Sequence, residues 1–275
     1  MMQMYNEFLT FPNLNEKKYF KINLVDSILL HTFAPVIKQQ QKMNLLSKGK
    51  TNAKLAKNER ESYIMYLSPH TNNSKGINLC INASEECILL CLYDSGFASV
   101  FASVNEARQR RTEFYITDKE RFIKQLALEI NMAILEAEGK EILFRLNGTS
   151  DLDFLYMLKK YADFDFEKTP DNVFFYDYTK ILGKVKKYAH CSDKYKLTFS
   201  FSGTNKDECI AALQTGANVA MVYKGKMPKV WNGFEVVDGD ASDEEMYKYK
   251  SKVLALKLKG NKQKKMKTEN FVLQN

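Results

Sequence analysis

Short apolar runs that end in clusters of polar residues recur along most of this chain, and segments with helical spacing follow them. Aromatic and β-branched residues dominate the first run, residues 61–68, which is typical of a strand. Strands that alternate with helices in this way predict parallel βα units within an α/β domain. The later predicted strands are residues 141–146, 172–176, 195–200, 218–223 and 234–237.

Two helices between the first two strands are predicted from their starting residues. Residues 103–106 and 117–120 each fit the capping box, in which a hydroxyl and a carboxylate bond the N–H groups of the first turn. Apolar residues of the second helix recur at helical spacing up to Gly139, a typical C-terminal stop. Further helices are predicted over residues 151–161 and 205–215.

The N-terminal part of the chain lacks this pattern. Residues 23–37 are apolar enough for a buried helix, but their periodicity does not separate helix from strand. The polar residues 39–44 and 47–52 are typical of a linker. We therefore expect an N-terminal extension, residues 1–47, followed by a single α/β domain, residues 48–275.

Composition adds only weak constraints. The chain has 275 residues, a formal net charge of +8 and a pI of about 9.0, which suggests an anionic partner, although solvated lysines account for much of the excess. The lysine-rich residues 252–267 predict either a strand followed by a solvated loop or a tail that contacts phosphate. No apolar run reaches about eighteen residues, so we expect no membrane span and a cytoplasmic protein.

Three of the five cysteines lie close together, at a spacing of C-x6-C-x3-C. The thiolates of Cys80, Cys87 and Cys91 can surround one inorganic centre, and three is the number that a [4Fe–4S] cluster with one open iron requires. A structural zinc would need a fourth ligand, for which His190, Cys191 and Cys209 are candidates. A third interpretation is that the thiols pack as small hydrophobic groups without metal. Disulfides are not expected, because the cysteine count is odd and no secretory signal is recognisable.

Polar residues follow the predicted strands, at the edge where parallel sheets bind ligands. The second cluster supplies the candidates for a cofactor or substrate site. Alternatively, Ser150 caps the helix 151–161 and Arg145 neutralises Asp151. Asp177 and Lys180 follow the third strand and can serve in acid–base catalysis or form a buried ion pair. The cofactor candidates are Arg145, Asn147, Thr149, Ser150 and Asp151, with Ser200 at the end of the fourth strand.

Two further patterns point to charged ligands. Asp238, Asp240 and Asp243 resemble an oxygen-ligand set for Mg²⁺, although an Asp-Gly-Asp sequence is also common in ordinary turns.

Three arginines on the first predicted helix can bind phosphate through their forked guanidinium groups, so nucleic acid or a nucleotide is a candidate partner. A solvated helix face is the alternative. These residues are Arg108, Arg110 and Arg111.

Several of these motifs together resemble a family of uncharacterised bacteriophage proteins known as gene product 88. The resemblance covers about residues 48–273. It implies membership of a family but no particular reaction. It rests on residues 52–57, 91–93, 145–151, 176–180, 197–200 and 237–240.

The cysteine segment is in turn similar to the cluster loop of radical S-adenosylmethionine enzymes. That similarity implies a partial parallel βα barrel, a [4Fe–4S] cluster at Cys80, Cys87 and Cys91, and S-adenosylmethionine as a cofactor. The usual spacing of that class is C-x3-C-x2-C with an aromatic residue before the last cysteine. Here the spacing is longer, Leu90 occupies the aromatic position, and a clear glycine-rich strand is missing.

Two functional hypotheses follow. The first is an iron–sulfur enzyme similar to radical S-adenosylmethionine enzymes, acting in the host cytoplasm during phage infection. The second is a phage protein that binds nucleic acid on the same scaffold without redox chemistry. The first requires the three sulfurs to lie at the same edge of the sheet as Arg145, Asn147, Asp177 and Ser200. A modest separation of the thiols in the absence of metal is compatible with it.

Overall fold

The computed structural model describes residues 43–49, 60–91, 93, 101–189, 193–241, 247, 249–258 and 270–274. Residues 44–275 fall in one unit of the chain. Most of the predicted N-terminal extension lies outside the described residues. So do the motif at residues 52–57, the candidate ligands His190 and Cys191, and Asp243.

The described residues form a mixed α/β fold with a single sheet of ten strands, in which strands and helices alternate. Five neighbouring parallel strands, β2 to β6, lie in the same order in the sheet as along the chain. The strands are β1 (Leu46–Lys48), β2 (Glu61–Met65), β3 (Ile142–Arg145), β4 (Val173–Thr179), β5 (Tyr195–Ser200), β6 (Asn218–Lys224), β7 (Val230–Trp231), β8 (Phe234–Asp238), β9 (Val253–Lys257) and β10 (Val272–Gln274).

The remaining strands extend this parallel core on both sides. β1 pairs antiparallel with β2, while β9 and then β8 continue the parallel order beyond β6. β7 pairs antiparallel with β8. The strand predicted from the apolar residues after Lys252 is therefore present as β9, and β10 pairs with the carboxyl-terminal half of β6.

Six α-helices connect the described strands, and their starts correct three predictions. They are α1 (Glu85–Leu89), α2 (Ala102–Thr117), α3 (Lys119–Glu136), α4 (Phe154–Ala162), α5 (Leu182–Tyr188) and α6 (Lys206–Gln214). Ser103 lies inside α2, and Thr117 is the last residue of α2 rather than the cap of α3. The carboxylates of Asp118 and Asp153 cap α3 and α4 instead, so Ser150 is not a helix cap.

The two faces of the sheet differ in composition. On one face, stacked rings of Tyr63, Phe144 and Phe175 run across β2, β3 and β4, and Tyr188 of α5 packs against Tyr195 of β5 at 5.0 Å between ring centroids. Connections between sequential parallel strands are right-handed, which places their helices on the same face of the sheet. This face therefore forms the main core with the helices.

The opposite face carries a smaller hydrophobic cluster with polar and aromatic residues around it. Ile64, Leu143, Tyr176 and Leu254 are buried together on this face. Half-buried tyrosines and other aromatic or apolar residues pack around them, namely Tyr66, Phe174, Tyr178, Val237, Tyr247 and Tyr249. No helix in the described part of the chain is long and apolar enough to cross a membrane.

Candidate functional site

The cysteine segment, residues 79–91, crosses the carboxyl ends of the parallel strands. The backbone N–H of Asp151, after β3, donates to the carbonyl of Leu79 at 2.9 Å. The side-chain amide of Asn82 donates to the carbonyl of Lys180, after β4, also at 2.9 Å. Ser84 donates to the carbonyl of Ser202, after β5, at 2.9 Å. Three successive strand ends therefore hold the segment in place.

Cys80 lies at the start of this segment, with its sulfur turned towards the loop after β3. The sulfur accepts the backbone N–H of His70 at 3.5 Å and donates to the carbonyl of Thr149 at 3.6 Å. Burial raises the pKa of the Cys80 thiol to about 11. In this geometry Cys80 is a protonated thiol at neutral pH.

Cys87 lies on α1 and contacts the side chain of Lys180. Ser84 caps this helix, accepting the backbone N–H of Cys87 at 3.2 Å. The electrostatic neighbours of Lys180 are the Cys87 thiol, Asp151 and Cys80. Burial alone lowers the pKa of Lys180, but these neighbours raise it above its usual value. Two of the three predicted thiols therefore lie beside one lysine ammonium group.

The third thiol, that of Cys91, lies four residues beyond Cys87, just after the end of α1. Its sulfur accepts the backbone N–H of Tyr93 at 3.5 Å. Cys209 on α6 is fully buried, and burial raises its pKa to about 12, so it is a core residue in this structure. Among the described residues, no three cysteine, histidine or carboxylate side chains are gathered closely enough to hold a metal ion.

Asp151 is the hub of the hydrogen bonds beneath the cysteine segment. One carboxylate oxygen accepts the hydroxyl of Thr179 at 2.7 Å, and the other accepts the backbone N–H of Lys180 at 2.7 Å. The ammonium group of Lys184 on α5 lies 3.4 Å away, with its side chain only 4% exposed. Asp151 thus fixes the position of the residue whose side chain contacts Cys87.

Asn147 and Asp177 form a second buried pair, one strand apart. Both oxygens of Asp177 accept N–H groups of Asn147, from the backbone at 2.7 Å and from the side chain at 3.0 Å. The side-chain oxygen Oδ1 of Asn147 in turn accepts hydrogen bonds from the Ser150 hydroxyl and the Leu152 N–H. Asp177 lies within β4, which extends to Thr179 and is longer than predicted. The side chain of Asp177 is on the sheet face that packs against the helices, and its two hydrogen bonds to Asn147 support the loop after β3.

The loop after β3 is tightly packed against β2. A Cβ atom on Gly148 would lie 2.6 Å from the carbonyl oxygen of Met65 and 2.7 Å from the Tyr66 ring, so only glycine fits here. Thr149 donates its hydroxyl to the carbonyl of Leu67. Thr149, Ser150, Asp151 and Asn147 therefore all engage in contacts that shape the loop.

Arg145 and Ser200 lie on the sheet face opposite the helices. The pairing of β3 with β2 and β4 places Arg145 on the same face as Ile64 and Tyr176. Its guanidinium group lies 4.7 Å from the centroid of the Tyr178 ring, an attractive cation–π contact. Ser200 is half-buried at the end of β5. These two predicted site residues lie on the same face of the sheet as Tyr178.

The Asp-Gly-Asp motif closes a turn between β8 and β9. Asp238 accepts the backbone N–H of Asp240 at 2.8 Å, and Asp240 accepts that of Lys257 at 2.6 Å. A Cβ atom on Gly239 would lie 3.0 Å from Leu254, so the turn packs directly on β9. The turn interpretation of this motif accounts for these contacts.

The three arginines of α2 occupy different environments. Arg108 is buried between the rings of Tyr66 and Tyr93, at 4.7 and 5.1 Å from their centroids. Arg111 donates to the carbonyl of Asn44 at 2.8 Å. Arg110 is exposed and lies 3.9 Å from Glu106 of the same helix. Only Arg110 of the three is displayed on the surface as a nucleic-acid contact requires.

Sequence reasoning missed Lys184, Thr179 and Glu86, which complete the surroundings of the cysteine segment. Lys184 lies among other lysines on a short helix, a pattern that normally indicates solvent exposure. Thr179 is the last residue of an apolar strand. The alternation of side chains between the two faces of that strand, which puts Thr179 and Tyr178 on opposite faces, was the signal that could have found it. No local signal marks Glu86, because its partners lie near the end of the chain.

The fold and site define an α/β protein with a cysteine segment fixed across the carboxyl ends of sequentially ordered parallel strands. The profile of one protein family, described as Gene product 88, matches residues 44–273. The chain belongs to this phage family. Comparisons with curated proteins and with solved structures found no significant match.

Proposed function

We propose that this chain is an iron–sulfur protein in which Cys80, Cys87 and Cys91 hold a [4Fe–4S] cluster, as in radical S-adenosylmethionine enzymes. The supporting observation is the position of the cysteine segment across three strand ends, where parallel sheets bind their ligands. None of the three thiols forms a disulfide among the described residues, and all three are half-buried, which suits ligands better than core residues. Cys91 follows Cys87 by four residues, and its backbone N–H donates to the carbonyl of Ile88 at 3.3 Å.

The strand order supports a partial barrel for this site. Strands β2 to β6 follow one another in the sheet as they do in the sequence, which is the order of βα barrels. Doubly wound sheets instead reverse their order at a switch point. We therefore infer a partial parallel βα barrel whose concave face carries Tyr66, Arg145 and Tyr178.

In this proposal the protein residues divide into two groups. When bound, the cluster supplies one-electron reduction of S-adenosylmethionine at its open iron. Lys180 offsets the negative charge of the cysteine ligands, and Asp151 fixes its backbone. Arg145 and Ser200 face the concave side and are the candidates for contact with S-adenosylmethionine or substrate. Asn147, Thr149 and Ser150 shape the loop beneath, and the contacts of Asp177 favour a supporting role over acid–base catalysis.

Anaerobic reconstitution with ferrous iron and sulfide tests the cluster. The full chain is expected to bind about four iron atoms and about four sulfides and to turn brown. Cys80→Ala, Cys87→Ala and Cys91→Ala should each lose most of the iron, whereas Cys209→Ala should keep it because that thiol is buried in the core. Iron and acid-labile sulfide analysis gives the measurement. A colourless parent protein, or equal loss in Cys209→Ala with its fold intact, would sink the proposal.

The alternative hypothesis, a non-enzymatic nucleic-acid-binding protein, makes a different prediction. An interface on α2 would use Arg110, so Arg110→Ala would reduce the slope of log affinity against log salt by about 0.9. Glu106→Ala would strengthen binding, because it removes the partner of Arg110. We expect neither change, since Arg108 and Arg111 are held inside the fold. Fluorescence anisotropy with single-stranded DNA and RNA at several salt concentrations decides this point.

A further inference from the structure

The last described segment of the chain, residues 270–274, runs beside the cysteine segment; we refer to it as the strap. Its strand β10 pairs parallel with the end of β6, from Val272 opposite Val222 to Gln274 opposite Lys224. Val272 is buried. A Cβ atom on Gly203, in the loop after β5, would lie 3.0 Å from the backbone nitrogen of Phe271. The strap is therefore packed closely against the edge of the sheet that carries the candidate site.

A carboxylate from the cysteine segment fastens the strap. One oxygen of Glu86 accepts the backbone N–H of Phe271 at 2.6 Å and that of Asn270 at 3.3 Å. Glu86 directly precedes Cys87 on α1. Hydrogen bonds to an ionised acceptor are roughly twice as strong as those between neutral groups. The position of the Cys87 helix and that of the strap are thus linked by one side chain.

The aromatic ring of the strap lies next to the lysine that contacts Cys87. The centroid of the Phe271 ring is 6.0 Å from the ammonium nitrogen of Lys180. Lys180 in turn interacts electrostatically with the Cys87 thiol. Phe271, Lys180 and Glu86 therefore lie together on the side of the segment that carries Cys87.

We propose that the strap controls access to the Cys87 thiol, and that Glu86 is the positioning residue that holds it closed. Opening the strap removes Phe271 from Lys180 and releases Glu86, which precedes Cys87 on α1. The strap thereby gates what reaches the cysteines, whether a metal, a cofactor or a reagent. This inference rests on the proposed function only for the importance of the thiols, since the closure itself needs no iron.

Thiol labelling of the full chain, reduced and treated with an iron chelator, tests the strap. Iodoacetamide labelling of each cysteine is followed by mass spectrometry of the peptides. In Glu86→Ala and Phe271→Ala, Cys87 is expected to react about tenfold faster than in the parent, the factor that a change of about 1.4 kcal/mol in the closing equilibrium produces. Glu85→Ala is the matched control, because Glu85 lies in the same helical turn and is exposed.

Cys209 serves as the internal reference, since its side chain is fully buried. A rate at Cys87 that is equal in Glu86→Ala and Glu85→Ala would overturn the proposal. So would a parallel rise at Cys209, because general loosening of the fold would then explain the labelling. If Glu86→Ala fails to fold, Glu86→Gln keeps one acceptor oxygen and is expected to give a smaller acceleration of Cys87. All outcomes are independent of iron binding, which the reconstitution experiment measures separately.

Discussion

Replacement of Asp151 by alanine is expected to lower the free energy of unfolding by about 3–5 kcal/mol, because it removes one partner of a buried ion pair. The side chain of Lys184 is 4% exposed and that of Asp151 is 11% exposed, so neither charge is well hydrated. The variant also leaves the Thr179 hydroxyl and the Lys180 N–H without their acceptor. Urea unfolding followed by circular dichroism measures the loss.

Asp153→Ala is the matched control for this variant. Asp153 lies two residues further along the same loop and caps α4 from a partly exposed position. Loss of such a cap typically costs about 1 kcal/mol. A similar loss of stability in both variants would show that the buried network of Asp151 contributes no more to the free energy of unfolding than a helix cap does.

The same network predicts partial recovery in a double variant. Lys184→Met alone removes the buried cation but leaves Asp151 with its two other donors. Combined with Asp151→Ala, it removes the unpaired ammonium group, so the double variant should lose less stability than the sum of the two single variants. A simply additive loss would mean that the two charges do not interact measurably.

The strands and their parallel order could be predicted from the sequence, because apolar runs of four to eight residues alternate with helical segments. Strands β3 to β6 and β8 all lie within or beside the predicted runs. β4 extends three residues beyond its predicted end, since Asp177 and Thr179 are buried polar residues whose partners lie on neighbouring loops. Polar residues inside a strand look like a strand end when those partners are unknown.

The helix caps show a different limit of sequence reasoning. Ser103, Thr117 and Ser150 all have hydroxyl side chains, which are typical of helix caps. In the structure, however, Asp118 and Asp153 cap two of the helices. Hydroxyl and carboxylate side chains compete for the same N–H groups within one or two residues, and tertiary packing decides between them. Ser150 is instead drawn to Asn147, because Asn147 organises the loop after β3.

The sequence was sufficient to predict at which edge of the sheet the candidate site lies, but not which side chains contact one another there. The parallel order of the strands implied that the cysteine segment and residues 145–151 lie at the same edge, and the hydrogen bond of Asp151 to Leu79 joins them. Contacts of Lys180 with Cys87, and of Glu86 with the strap, join residues about 90 to 185 positions apart in the sequence. No periodicity or spacing encodes such pairs.

Asp177→Asn is expected to make stability less dependent on pH between about pH 4 and pH 7. Burial raises the pKa of Asp177 from 3.8 to about 6, although Lys184, Asn147 and Arg145 partly oppose this effect. In the folded state the carboxyl group keeps its proton up to about pH 6, whereas the unfolded chain releases it near 3.8. The contribution of Asp177 to stability is therefore fully present below the lower value and is lost as pH rises through the higher one.

The asparagine variant cannot ionise, so it lacks this loss. Relative to the parent, its free energy of unfolding should rise by up to about 3 kcal/mol from pH 4 to pH 7, which corresponds to the change in pKa. A constant loss in the free energy of unfolding is also expected at every pH, because the asparagine side chain offers one acceptor oxygen where Asn147 donates two hydrogen bonds. Urea unfolding at several pH values separates the two effects.

Asp163→Asn provides a control of opposite sign. Asp163 is exposed, and Lys159 lowers its pKa through a hydrogen bond and charge attraction. Its contribution to stability is present above the unfolded pKa and is lost as pH falls, so the variant should become less stable relative to the parent as pH rises. If Asp177→Asn followed the same direction as Asp163→Asn, the two Asn147 hydrogen bonds would outweigh burial, and Asp177 would be ionised in the folded protein.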